Sequence, residues 1–297
     1  MKNKLLLFAF ITAFLMACSS DDETTPVGVE DPVLTDLKEI NSYTDGNEME
    51  NRKFENNLLR ERYFIRENGD VYFEDIYSYN AQNLLIGRNV NVQYEDGSTA
   101  SVNQVVSYDS LGRIIKIVDN QTFDGNTDNI QTNFTDFDYS MPNTIVATSV
   151  TAGLSPSVTK YHLNSEGLVY MKTYDNSQHT VEATFTNGNI VTVSRTTYNS
   201  PTDILISTTS NLYDLQTEVK GEYLKIATNQ FGTVKANAAI YKSDVSSNSS
   251  NYILNSQMNG NTDTTYEYQF NSAGYPTNVK LFDTNGLYLE HQIIYQL

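Results

Sequence analysis

Three histidines are the side chains of this 297-residue chain best suited to metal binding or proton transfer. They are His162, His179 and His291, all in the second half of the sequence. No cysteine or acidic residue stands near them at the spacing of a zinc site or a nucleophile relay, and there is no Gly-x-Ser-x-Gly elbow and no phosphate-binding glycine loop. We therefore expect no enzymatic centre and no cofactor, and His162 is predicted to be an ordinary strand residue.

The densest group of oxygen ligands consists of Asp124, Asn126 and Asp128, whose alternate spacing is typical of the start of a calcium loop. The sixth position of that loop should be glycine and the twelfth glutamate, but here they are Asn129 and Thr135. A polar hairpin tip is the preferred interpretation, and the three residues remain only candidate metal ligands.

Neighbouring carboxylates such as Glu74 and Asp75 could act as acid and base on a glycosidic bond, but adjacent strand residues point to opposite faces. The pair argues against a shared site, so a hydrolase is the least favoured function. The 21 tyrosines are a second possibility, since a row of rings could stack on sugars or form a protein-binding patch. Cross-strand packing that stiffens a thin sheet is the preferred interpretation.

The chain begins like an exported protein. Lys2 and Lys4 precede an apolar stretch from Leu5 to Met16, and Ala17 precedes the only cysteine, Cys18. The 12 residues of the stretch would rise about 18 Å as a helix, less than the roughly 30 Å of a bilayer core. The stretch is therefore predicted to be a cleaved signal and not a membrane span.

The tetrad from Leu15 to Cys18 resembles the lipobox of bacterial lipoproteins, whose cysteine receives a diacylglycerol and becomes the first mature residue. The resemblance implies that Cys18 carries the lipid and that residues 1–17 are removed. Ser19 resembles the outer-membrane pattern, and the acidic Asp21 to Glu23 resembles the surface-export signal of lipoproteins from Bacteroidota, although a solvated tether would look the same. We expect a protein anchored in the outer membrane and displayed at the cell surface, or otherwise facing the periplasm.

Composition limits the partners of the mature chain. Removing the two signal lysines changes the formal net charge from −17 to −19, so nucleic acid is an unfavourable partner. Residues 18–32 contain acidic residues, two prolines and a glycine, and are predicted to be a flexible acidic linker. Residues 33–297 are predicted to form a domain of β-hairpin repeats.

Short strands joined by tight turns are the elements predicted to position these side chains. Turn signals recur every 12 to 15 residues in the first half, and apolar and polar residues alternate between them, as from Val71 to Tyr79, where Val71, Phe73, Tyr77 and Tyr79 share a face that Asp75 interrupts. The stretch from Asn199 to Lys220 has no clean unit. The signals are Asn56-Asn57, Asn68-Gly69, Gln82-Asn83, Asp96-Gly97, Leu111-Gly112, Gly125-Asn126, Glu166-Gly167, Asn187-Gly188, Phe231-Gly232, Asn259-Gly260, Ala273-Gly274 and Asn285-Gly286.

The best-formed units begin at Tyr108, Tyr161 and Tyr268, and in each an Asp or Asn precedes a glycine by three residues. Asp109, Asn164 or Asn271 can bond to the turn backbone, and the glycine supplies the positive φ. These units resemble the YD repeats of RHS-type proteins, and still more the tyrosine-rich lipoproteins of Bacteroidota with degenerate copies. The resemblance implies an all-β antiparallel meander of hairpins, and the small number of repeats favours an open or curled sheet over a closed shell.

The function predicted from the sequence is a lipid-anchored, non-enzymatic binding or structural interaction module with a glycan or protein ligand. The alternative is a glycan-binding accessory lipoprotein of an uptake system. If the sheet is open, Tyr288 to Leu297 would be a terminal strand able to pair with a partner.

Overall fold

The computed structural model describes residues 36–125, 130–175, 179–200, 203–218, 230–246 and 251–296, and Leu34–Leu297 form one compact unit. Within the described residues, the chain forms 18 β-strands and one short helix. Their bounds are β1 Asp36–Thr44, β2 Asn47–Glu55, β3 Leu58–Ile65, β4 Val71–Tyr79, β5 Leu85–Gln93, β6 Thr99–Tyr108, β7 Ile114–Phe123, β8 Gln131–Asp138, β9 Thr144–Val150, β10 Ser157–Leu163, β11 Val169–Tyr174, β12 His179–Thr186, β13 Asn189–Ser200, β14 Asp203–Glu218, α1 Ala236–Lys242, β15 Asn251–Met258, β16 Asn261–Phe270, β17 Pro276–Asp283 and β18 Gly286–Gln296.

Local chemistry closes the turns. After β6, Gly112 has a φ of 73° and its N–H donates to the Asp109 carbonyl at 3.0 Å. The Asp109 carboxylate accepts two further backbone N–H groups of the turn at 2.9 and 3.0 Å. Asn83, with a φ of 61°, replaces the glycine that the turn after β4 lacks. The predicted turn role is confirmed, since the same side-chain bonds recur at Asn80, Asn164 and Asn271.

Every strand pairs antiparallel with the next one in sequence, and β1 also pairs with β18 from Asp36↔Gln296 to Tyr43↔Glu290. The sheet is therefore a closed meander barrel, and the expectation of an open or curled sheet is wrong. Closure satisfies the backbone groups that two free edges would leave unpaired. The strand that begins near Tyr288 is hydrogen-bonded on both sides and is not a free edge.

The strand register sorts the wall side chains into an inner and an outer face. In β4, Asp75 and Tyr77 are buried on the inner face and Phe73 and Tyr79 are half-buried there, while the intervening residues point outward. The inner face carries most of the apolar core, which includes Leu37, Ile40, Leu85, Ile114, Ile145, Val169, Val279 and Ile293. The predicted alternation of β4 is confirmed, and Asp75 belongs to the buried face that it interrupts in sequence.

Tyrosine side chains reinforce one end of the barrel. There, a tyrosine in the second half of an even-numbered strand, or directly after it, donates its hydroxyl to a carbonyl at the start of the preceding strand, which ties neighbouring strands together. These tyrosines thus pack across neighbouring strands, as the preferred interpretation predicted, and do not form an exposed row of stacking rings. The bonds join Tyr79 to Leu59 (2.6 Å), Tyr108 to Leu85 (2.8 Å), Tyr139 to Ile114 (2.8 Å), Tyr213 to Ile190 (2.6 Å) and Tyr295 to Pro276 (2.8 Å).

Residues 230–246, between β14 and β15, fill this same end and are called the plug. Asn237, fully buried, accepts the Ile114 N–H at 3.2 Å and donates to the Gly112 carbonyl at 2.8 Å. A round barrel of 18 strands would be about 36 Å across, too wide for wall side chains alone to fill, since facing sheets pack about 10 Å apart. The hairpin predicted at Phe231-Gly232 is therefore wrong, because these residues belong to the plug.

The two ends of the barrel differ in burial. The plug end also carries the first residue of β1 and the last of β18, and its inner-face residues are almost fully buried. Toward the opposite end, called the far end, inner-face side chains such as Phe73, Val92 and Gln121 are only half-buried. No helix among the described residues is both long and apolar enough to cross a membrane.

Candidate functional site

A set of charged side chains crosses the inner face where the packed core meets the half-buried part of the wall. It consists of six residues, called the charged layer: Glu50 and Arg52 of β2, Arg62 of β3, Asp75 of β4, Arg88 of β5 and Lys242 at the end of α1. Register brings them together, because Arg52 faces Arg62 and Arg62 faces Asp75 across neighbouring strands. A charged side chain on an inner face is costly unless it is paired. The ion pairs within this layer therefore determine its chemistry.

Glu50 is held by two arginines. Arg52 Nη2 lies 2.5 Å from Glu50 Oε2, and Arg62 Nε lies 2.5 Å from Oε1. Burial by itself would raise the pKa of the Glu50 carboxyl, but the hydrogen bonds and charges of Arg52 and Arg62 outweigh it and hold this pKa below its ordinary value. Glu50 is therefore a carboxylate at neutral pH.

Asp75 is fully buried and forms the second pair of the layer. Arg88 donates to both of its oxygens, with Nε–Oδ1 at 2.7 Å and Nη2–Oδ2 at 2.9 Å, and the Tyr77 hydroxyl donates to Oδ2 at 2.7 Å. Burial, followed by the charge of Asp75, raises the pKa of Tyr77, so the phenol stays protonated and keeps donating. This bidentate geometry fixes the guanidinium of Arg88 on the inner wall.

Lys242 extends the layer from the plug. More than a third of its surface is exposed, yet desolvation together with the charges of Arg52 and Arg62 lowers its pKa, against a raising effect of Asp244. Its neighbour Tyr241 donates its hydroxyl to Gln104 of β6. The plug thus presents a cation toward the two arginines that hold Glu50.

His291 of β18 and Ser42 of β1 meet beside Glu50 through the closure of the barrel. Ser42 Oγ lies 2.8 Å from His291 Nδ1 and 3.3 Å from Glu50 Oε2. In a hydrolytic triad the histidine stands between the serine and the acid, whereas here the serine stands between the other two. Ser42 is only 2% exposed, which leaves no room for a substrate carbonyl at its oxygen. Desolvation, followed by the charge of Arg52, lowers the pKa of His291 to about 4, so its ring is neutral at pH 7.

The candidate site residues predicted from the sequence do not come together in one site. His162 lies in β10, as predicted, with Nε2 3.3 Å from the Thr173 hydroxyl, while His179 begins β12 and bonds to Thr197. Asp124, directly after β7, accepts the N–H of Thr99 at the start of β6 at 2.9 Å, which is a structural bond between neighbouring strands. In the part of the chain that the structure describes, no three His, Cys, Asp or Glu side chains group closely enough to hold a metal. The remaining site candidates lie outside the described residues: Cys18, Asn126 and Asp128.

Sequence reasoning missed the charged layer although it carried a signal. Asp75 interrupts an apolar face, and a charge on a buried face requires an opposite charge on a neighbouring strand. Arg62 and Arg88 occupy such positions in β3 and β5. The Ser42–His291 contact had no comparable signal, because the two residues are 249 positions apart.

The outer face is different in character, because its charged side chains are exposed and pair across neighbouring strands. Lys53 and Glu61 are 3.3 Å apart with exposed side-chain fractions of 52% and 38%. Lys116 and Asp136 are 2.9 Å apart with fractions of 40% and 51%. The outer face therefore carries ion pairs whose side chains are exposed, unlike those of the charged layer.

Comparisons with known proteins assign no family. No family model matches the sequence, and no curated protein matches it. Among solved structures, the chain is similar to a porin-like protein from Bacteroides vulgatus, with a TM-score of 0.42 and 11% identity over 88% of this chain and 99% of that chain. A porin-like protein from Bacteroides uniformis has a TM-score of 0.32 and 16% identity over 69% of this chain and 94% of that chain. Scores this low transfer no function.

Proposed function

We propose that this chain is a non-enzymatic binding or interaction module, a water-facing β-barrel tethered to the outer membrane by lipid on Cys18. The observation that carries the proposal is the outer face of the wall, where charged pairs such as Lys116–Asp136 are exposed. A barrel that spans a membrane presents an apolar band outward, and a lysine at the bilayer midplane costs about 2–4 kcal/mol. Several such residues make lipid an unfavourable surrounding for this wall.

The lipid would then supply the attachment that the wall does not. Each buried methylene contributes about 0.8 kcal/mol, so a diacylated cysteine binds a bilayer stably. The inward packing of tyrosines such as Tyr79 and Tyr108 works against the alternative in which exposed rings stack on glycans. A binding role therefore points to the inner face or to the ends of the barrel.

Detergent phase separation with labelled palmitate tests the proposal. The natural chain should take up the label and enter the detergent phase. In the matched control, residues 1–18 are replaced by a cleavable secretory signal without a lipobox, so that the mature chain starts at Ser19. We expect this control to be unlabelled and fully aqueous. A control that still enters the detergent phase would show that the wall itself binds lipid and would overturn the proposal.

Display at the cell surface is tested separately by adding proteinase to intact cells. Digestion of the lipidated chain without lysis supports an outward-facing barrel. Protection until the outer membrane is broken would instead leave the barrel in the periplasm, and its partners should then be sought there.

A further inference from the structure

Apolar side chains are exposed on the inner face between the charged layer and the far end. Val71 of β4 and Phe123 of β7 are 46% and 47% exposed, and Phe73, Val92 and Ala100 between them are only half-buried. Register places all five on the inner face, since Phe73 faces Val92, Val92 faces Ala100, and Ala100 faces Phe123. A cleft of about 610 Å³ lies against this part of β4 to β6. The exposed fractions show that this apolar strip is open to solvent where the inner face reaches the far end.

The strip adjoins the charged layer directly. Phe64 of β3 packs edge-on against Phe73, with ring centroids 5.1 Å apart, and the Arg62 guanidinium lies 4.3 Å from the centroid of the Phe64 ring. An apolar surface and a row of cations thus follow one another along the same strands.

Among the six residues of the charged layer, cations outnumber carboxylates, with Arg52, Arg62, Arg88 and Lys242 against Glu50 and Asp75. Two further carboxylates act nearby: Asp119, which accepts a hydrogen bond from Gln104 on the inner face, and Asp244, whose charge acts on Lys242. The side chains of Glu50 and Asp75 are only 8% and 0% exposed. The arginine side chains are 23%, 32% and 26% exposed, so within the layer the guanidinium groups and not their two carboxylate partners are open to solvent.

We propose that the inner wall of β2 to β7 binds a single-chain amphiphile with an anionic head, the head at the arginines and the apolar chain along the strip toward the far end. From Asp75 to Val71 the strand rises about 13 Å, a length that suits a medium-length acyl chain. Arginine favours carboxylate and phosphate heads because its planar donors bind two oxygens at once. The inference rests on the proposed function only in requiring a water-facing barrel.

The test is calorimetric titration of decanoate, decanol and inorganic phosphate into the chain that starts at Ser19, which keeps the whole unit Leu34–Leu297. We expect decanoate to bind about tenfold or more tightly than either decanol or phosphate, because only decanoate has both parts. Equal binding of decanoate and decanol would contradict the cationic head site. Equal binding of decanoate and phosphate would contradict a role for the apolar strip. Absence of decanoate binding overturns the whole proposal.

Variants locate the head. Arg62→Gln and Lys242→Gln should each weaken decanoate about tenfold, whereas Lys116→Gln, the same charge change on the outer face, should leave the affinity unchanged. Lys242→Gln lies on the plug and leaves both arginine pairs of Glu50 intact, so it decides the question if Arg62→Gln fails to fold. Unchanged affinity in a folded Lys242→Gln overturns the placement of the head. A soluble barrel that binds no decanoate disproves this inference alone, while a barrel that requires detergent disproves the proposed function.

Discussion

Asp75 and Asp136 are both strand aspartates that pair with one basic residue of a neighbouring strand, yet they lie on opposite faces of the wall. Asp75 is fully buried and accepts three hydrogen bonds from Arg88 and Tyr77. Asp136 has a side chain 51% exposed and accepts one from Lys116. Water competes with only the second pair. Two aspartates that look alike in the sequence therefore contribute differently to the stability of the barrel. The inner face sets the stability of the barrel, and the outer face sets its contact with solvent.

The largest difference between the faces is expected on removing these two carboxylates. Asp75→Ala leaves the Arg88 charge without its partner on the inner wall and should lower the free energy of unfolding by about 3–5 kcal/mol. Asp136→Ala should lower it by less than about 1 kcal/mol, because an exposed pair gains little over its interactions with water. Denaturant titration of both variants measures the difference. Equal effects would show that water reaches the Asp75 pair as freely as the outer one.

A second difference concerns histidines and depends on pH. The pKa of His291 is about 4 in the folded barrel against an ordinary value of 6.5, so the unfolded chain binds more protons between these pH values. The free energy of unfolding should therefore fall as the pH is lowered from about 6.5 to about 4, by up to about 3 kcal/mol. On the outer face, partial desolvation and then the charge of Lys160 lower the pKa of His162 in the same direction, and its effect should be smaller.

Chemical denaturation at a series of pH values measures these slopes. His291→Gln should flatten the profile below pH 6.5, and His162→Gln is the matched control that should leave most of the slope in place. If both variants keep the slope of the natural chain, the burial of His291 does not govern the acid sensitivity of the barrel.

The smallest difference is expected for tyrosine hydroxyls. Tyr108→Phe removes the bond to the Leu85 carbonyl at 2.8 Å and should cost about 1 kcal/mol in the free energy of unfolding. Tyr94→Phe changes a residue that is 48% exposed in a far-end turn and should cost close to nothing. Thermal unfolding of the two variants compares them. If Tyr108→Phe is as stable as Tyr94→Phe, the tyrosine hydrogen bonds do not contribute to the stability of the plug end.

Much of the local structure was readable from the sequence because the signals act over a few residues. Asp109 and Gly112 close their turn within five positions, and period-two alternation placed Tyr77 and Tyr79 of β4 on one face. The stretch from Asn199 to Lys220 had no clean unit, yet it includes β14, the longest of the described strands. Pairing with β13 over the first half of β14 and with β15 over the second half replaces a weak local pattern. Lipidation of Cys18 and the linker stay predictions.

What the sequence determined by itself is a succession of strands and turns, since hydrogen bonding and glycine or asparagine backbone preferences operate between near neighbours. It did not determine closure, which depends on strand pairing between residues as distant as Ser42 and His291. Nor did it reveal that Phe231-Gly232, predicted as a hairpin turn, is part of the plug. The space that the plug fills exists only once the strands have closed into a barrel. Alternation divided each strand into two faces, but only the closed barrel decided which face is shielded from water, and hence that Asp75 and the arginines lie inside while Asp136 and Lys116 lie outside.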